Sequence, residues 1–146
     1  MDNRYLFRGK IREHEHAING REKPPVWAIG SLHMNPSGDS VMTHYENSQT
    51  YSIDPATIGQ CTGLRAAKSY RGDKPEDLLI FEGDIVRCIS RTDSGNMVVI
   101  FERGEFRMVL CKNFKAYKTD KGYYAVRNFE KEIIGNIHDN PELLEV

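Results

Sequence analysis

Residues 4–12 alternate strictly between two sides of an extended chain. Arg4, Leu6, Arg8, Lys10 and Arg12 fall on one side, and Tyr5, Phe7, Gly9 and Ile11 on the other. That period of two is the pattern of a strand with one buried face. A polar stretch over 13–24, holding Gly20 and leading into Pro24-Pro25, predicts a loop or hairpin connection, with a helical turn over 13–18 as the alternative. The apolar-rich run 26–34 predicts a second strand, and 41–45 and 49–53 two more. Between them Asn35-Pro36-Ser37-Gly38-Asp39 forms a turn cluster, in which proline sets φ and glycine supplies positive φ. Residues 54–64 read as a short extended stretch between turn residues. The polar segment 65–76, with Gly72-Asp73 and Pro75, predicts an exposed excursion, after which Leu78 to Phe81 return to the core.

The second half reads as a β-meander. Strands are expected over 85–89, 97–102, 106–111, 123–126 and 132–137, with turns at Glu82-Gly83-Asp84, 91–96, 103–105 and 120–122. Short strands at this spacing predict a closed or nearly closed small barrel, which would remove unpaired sheet edges. Asn140 as a cap, Pro141 at the first helical position and Glu142 at the positive end of the dipole predict a short C-terminal helix. Such a helix is too brief to stand alone and must dock. The expected fold class is therefore mostly β: N-terminal strands packed on a C-terminal small β-barrel-like meander with a short C-terminal helix. Its expected organisation is an N-terminal β subdomain over 1–64, an exposed connecting loop over 65–80 and a C-terminal barrel-like subdomain over 81–146.

Composition narrows the function classes. Twenty basic and twenty-one acidic residues leave a net charge of −1, so no global field draws the chain to DNA or an acidic membrane. A nucleic-acid role would need a local patch. Cys61, Cys88 and Cys111 are the three cysteines, and none forms a C-x-x-C pair. They read as small buried hydrophobes in a reducing compartment rather than as zinc or redox ligands. The first residues lack the apolar core of a signal peptide, and no apolar run reaches the length of a membrane span. The expectation is a cytoplasmic protein without membrane partners.

Four stretches, in order, carry a resemblance. They are Arg8-Gly9-Lys10, Thr57-Ile58-Gly59-Gln60-Cys61-Thr62-Gly63-Leu64, Phe81-Glu82-Gly83-Asp84-Ile85-Val86, and the run from Ile133 through Gly135-Asn136 and Asn140-Pro141 to Leu144. Together they resemble the YopX family over nearly the whole chain. The segment 65–80 is longer here than the short hairpin usual in relatives. The resemblance implies a mostly-β fold, self-association and a phage or prophage origin, and hence a host bacterial cytoplasm. It brings no catalytic residue and no cofactor.

Candidate chemistry is sparse. His14-Glu15-His16 on a strand would aim both imidazoles one way, but zinc wants further ligands, which His33, His44 or His138 would have to supply from afar. A solvated loop is the plainer reading, and no metal site is assigned. Arg4, Arg8, Lys10 and Arg12 form a basic stripe along which a phosphate backbone could lie, with Arg65, Lys68 and Arg71 as a second cluster. The competing reading is a polar outer face balanced by Glu13, Glu15 and Glu22, which the near-neutral total favours. Glu82, Asp84, Glu102 and Glu105 sit at turns, where Asp84 can bond to nearby amides. Gly83, Asp84, Gly135 and Asn136 are read as structural turn residues, with Asn136 fixing register or marking a bulge near Gly135. Trp27, Tyr51, Tyr117, Tyr123 and Tyr124 could line a groove, although core or interface packing explains them as well.

The expected function is that of a non-enzymatic, oligomeric binding module whose partners are a second copy, a phage protein or a host protein. Nucleic-acid binding through the first strand is the alternative, and a metal-dependent hydrolase built on His14 and His16 the third reading.

Overall fold

The computed structural model describes residues 5–12, 26–89, 95–116, 123–127 and 130–144. Most regular structure in them is strand, the rest being short 3-10 turns, and the chain divides into two compact units, Met1–Cys61 and Thr62–Val146. This is the mostly-β class read from the sequence. The division falls within the Thr57–Leu64 stretch rather than at residue 65.

In the first unit, β1 (Phe7–Lys10), β2 (Trp27–Met34), β3 (Ser40–His44), β4 (Thr50–Ser52) and the start of β5 (Gly59–Arg65) form an antiparallel sheet of order β4-β3-β2-β1-β5. Alternation explains its core. Phe7, Ala28, Leu32, Met42 and Tyr51 lie on one face and close over Ile53, Ile11 and Ile58. Ile11 leaves the regular strand but bridges to Ile53. The predicted turn at 35–39 forms around the Asn35 side chain, whose Oδ1 accepts from Asp39 N (2.9 Å) and Ser37 Oγ (2.7 Å). After β4, Asp54 caps a 3-10 turn over Pro55–Thr57 by accepting from Ala56 N at 3.0 Å.

The second unit begins in the later half of β5, where Thr62 Oγ1 donates to Ile80 O of β7 (Leu79–Phe81) at 2.9 Å. Its main sheet adds β6 (Lys68–Ser69), β8 (Asp84–Cys88), β9 (Asn96–Glu102), β10 (Glu105–Leu110), β11 (Tyr123–Ala125) and β12 (Lys131–Asn136). The order is β11-β10-β9-β8-β12-β6, antiparallel except where β6 runs parallel to β12. Successive strands bury both parities. Val86, Cys88, Met97, Val99, Met108 and Ile133 cover one face with Ala66 and Ile80, while Ile85, Val98 and Cys111 cover the other with Phe114, Ile137 and Leu143. Two apolar faces explain why strand 85–88 reads as an almost continuous hydrophobic run.

Three expectations are corrected. The sheet order is linear, with β11 and β6 at its ends, and barrel closure is not seen among the described residues. The C-terminal helix is only a 3-10 turn over Pro141–Leu144, because a segment this short cannot repay the cost of nucleating an α-helix. The 65–80 segment is not simply an exposed loop. It holds β6, a 3-10 turn over Pro75–Leu78 and the start of β7, and buries Ala66, Leu79 and Ile80. Its polar composition hid how its backbone pairs with β12.

Candidate functional site

The two glycine corners meet. Gly83 has φ of 92°, the left-handed region that favours glycine. It sets up the turn in which the Asp84 carboxylate accepts from Phe81 N at 2.8 Å. At the far end of the pair, a bulge between Ile133 and Gly135 realigns β12 so that Asn136 lies opposite Asp84. Gly135 is required by a close approach, since a Cβ there would stand 2.6 Å from Asn140 Oδ1.

Asn136 is fully buried and uses both ends of its amide. Oδ1 accepts from His138 N and Asp139 N, both at 2.9 Å, and Nδ2 donates to Tyr70 Oη (3.2 Å) and Asp139 Oδ2 (3.1 Å). Arg71, next to Tyr70, donates to Leu79 O (2.6 Å) and Asp77 O (3.1 Å), and its guanidinium lies 3.8 Å from the buried Asp84 carboxylate. The rings of Tyr70 and Phe81 flank that guanidinium. Adjacent residues of the 65–80 segment thus fasten one corner each. These bonds tie the side chains to one another and to backbone.

The basic first strand is placed differently from a free phosphate track. Arg4 lies outside the described residues. Arg8 is 2% exposed, and its guanidinium sits 5.0 Å from the Trp27 ring, which Lys10 approaches at 5.7 Å. Lys10 is half-buried and Arg12 exposed. In the second cluster Lys68 is exposed, whereas Arg65 and Arg71 donate to the backbone carbonyls of Pro75, Asp77 and Leu79. Trp27 projects from the face of the first sheet opposite that of the buried Tyr51, so these two rings share no groove. Tyr117 lies outside the described residues.

His14 and His16 also lie outside the described residues. His44 is buried, with Nδ1 accepting from Ile29 N at 3.0 Å, so its ring proton resides on Nε2, 3.8 Å from Glu46. No group of three His, Cys, Asp or Glu suited to a metal ion occurs among the described residues. Of the turn carboxylates, Glu105 accepts from Arg107 Nε at 2.7 Å across from Glu102.

Two features were not singled out in the sequence, although Tyr124, part of the first, was named as a candidate groove residue. On the second sheet, Phe101 packs edge-on against Phe106, its register partner, with ring centroids 4.9 Å apart. Tyr124 of β11 shares that face, and Phe101 and Tyr124 are 47% and 43% exposed. Alternation across 97–110 could have placed these rings on one face. That the end of the face stays uncovered could not be read. The second feature is Lys131, 5% exposed at the start of β12, whose amine burial holds below the usual lysine range, partly offset by Cys88.

The described residues define an all-β protein of two sheet-built units, with no helix among them long and apolar enough to cross a membrane. The sequence matches the YopX protein family over residues 6–145 of 146, and the chain belongs to that family. No curated protein matches it.

Proposed function

We propose that the protein is an accessory protein of a phage or prophage, acting in the host bacterial cytoplasm by binding, and that it binds a second copy of itself. The observation that carries this reading is the pair of exposed rings Phe101 and Tyr124, with the half-buried Phe106 packed against Phe101, on a sheet that has β11 at its end. Aromatic side chains bring large apolar area at low entropic cost and are enriched in interface cores. A net charge of −1 puts little repulsion between copies. Pairing at β11 would also cover the edge that barrel closure would otherwise remove. A phage or host protein is the alternative occupant. Size-exclusion chromatography with light scattering tests the reading: the native chain elutes as an oligomer, and the Phe101→Glu/Tyr124→Glu variant as a folded monomer. A native monomer at high micromolar concentration overturns it.

Nucleic-acid binding is kept as a second reading because Lys10 approaches the Trp27 ring and Arg12 is exposed, a cation–aromatic arrangement suited to single strands. It requires retardation of DNA or RNA at low salt, lost on charge reversal at Lys10 and Arg12. The absence of any retardation removes it.

A further inference from the structure

A cavity of about 270 Å³ opens in the second unit. Arg65, Arg127 and Lys131 contribute cations to its wall, Glu130 one carboxylate, and Leu64 and Val126 apolar surface. Three of the residues that line it are basic and one is acidic, in a chain whose total charge is −1. Three elements build this wall: the end of β5, the turn after β11 and the first residue of β12. Backbone bonding ties the first of these to the third, since Ala67 N, just after β5, donates to Lys131 O at 2.9 Å, and Ala66 N donates to Leu78 O at 2.8 Å. Arg65 is steadied at the wall by its Nε donating to Pro75 O at 3.3 Å.

We propose that this cavity binds a small phosphate monoester, with Arg65 and Arg127 on the phosphate oxygens, Lys131 beneath them and the ester body against Leu64 and Val126. A dianionic head suits a lining with more basic than acidic residues, and guanidinium forks match phosphate oxygens in geometry. The volume sits at the lower end for small-molecule sites, which suits a compact ester and leaves no room for a dinucleotide. Burial disfavours the ammonium of Lys131, and a dianion beside it favours that charged form. Attraction to the cations and repulsion from Glu130 both scale with ligand charge, so the net attraction is larger for a dianion than for a monoanion.

Calorimetric titration of the full chain with phenyl phosphate tests the proposal, with inorganic phosphate and benzoate as parallel probes. Phenyl phosphate is expected to saturate at one per chain, more tightly than inorganic phosphate, which lacks the apolar body, and than benzoate, which lacks the second charge. Arg65→Gln and Arg127→Gln change exposed side chains. Each is expected to weaken phenyl phosphate about tenfold, with the thermal unfolding of the unliganded protein unchanged. The proposal is overturned by no saturable binding at about 10 mM, by affinity unaltered in the double variant, or by benzoate binding as tightly as phenyl phosphate.

Discussion

Asp84 and Asn136 stand directly opposite each other where β8 begins and β12 ends, and both are fully buried. Buried polar groups are tolerated when bonded. Asn136 accepts from His138 N and Asp139 N and Asp84 from Phe81 N, and a distant part of the chain adds a hydrogen bond to one and an ion pair to the other. Tyr70 takes Asn136 and Arg71 takes Asp84. A segment that looks dispensable by composition therefore fastens both glycine corners of the second unit.

Replacing Asn136 by alanine removes the acceptor for His138 N and Asp139 N and leaves Tyr70 Oη without its amide donor. Stranding such groups costs about 2–3 kcal/mol. Chemical denaturation should show that loss with an unchanged dependence on denaturant. A loss below about 0.5 kcal/mol would mean the amide is not holding the turn.

Gly135→Ala pushes a methyl group against Asn140 Oδ1, which accepts from Asn136 N at 3.2 Å. The expected cost is about 1–3 kcal/mol. Combining it with Asn140→Gly removes the clash. The double variant should then be less destabilised than the two single changes added together, and simple additivity would show that the close approach is not the cause.

How much of this was legible follows from the period of the signal. Phe7, Met42 and Tyr51 report their face by alternation, and Gly83 and Gly135 mark corners because few other residues fit there. Alternation says nothing about which distant segment meets a corner, so the partnership of Tyr70 and Arg71 with Asn136 and Asp84 stayed hidden. Arg8 misled for a related reason. Its charge suggested solvent, but β1 lies between β2 and β5, and the aliphatic stem and guanidinium are buried beside Trp27. The segment 65–80 was read from polarity, which reports side chains and not the backbone pairing of β6. Lys131 carried no sequence signal, since a lysine beginning a strand ordinarily faces water.

Alkaline pH should weaken the fold through Cys111. Burial raises its thiol from 9.0 to about 11, so between those values the folded thiol keeps a proton that the unfolded one has lost. The unfolded state then binds fewer protons, and stability falls as pH rises through that window. Lys131 acts in the opposite sense. Its folded amine titrates below 10.5, the unfolded state binds more protons in its window, and stability rises with pH there. Comparing denaturation midpoints of the native and Cys111→Ala proteins at about pH 9 and 11, the two ends of the thiol window, separates the first effect from that of Lys131. Cys111→Ala should lose most of the alkaline fall, and an equal fall in both proteins would assign it elsewhere.

The central structural claim is that Arg71 and Asp84 act as one fastener across otherwise unrelated parts of the second unit. A double-mutant cycle by chemical denaturation, using Arg71→Met to keep the apolar stem and Asp84→Asn to keep an acceptor for Phe81 N, measures it directly. The account predicts a coupling of about 1–2 kcal/mol between the two changes. Additive effects, within about 0.3 kcal/mol, would contradict it.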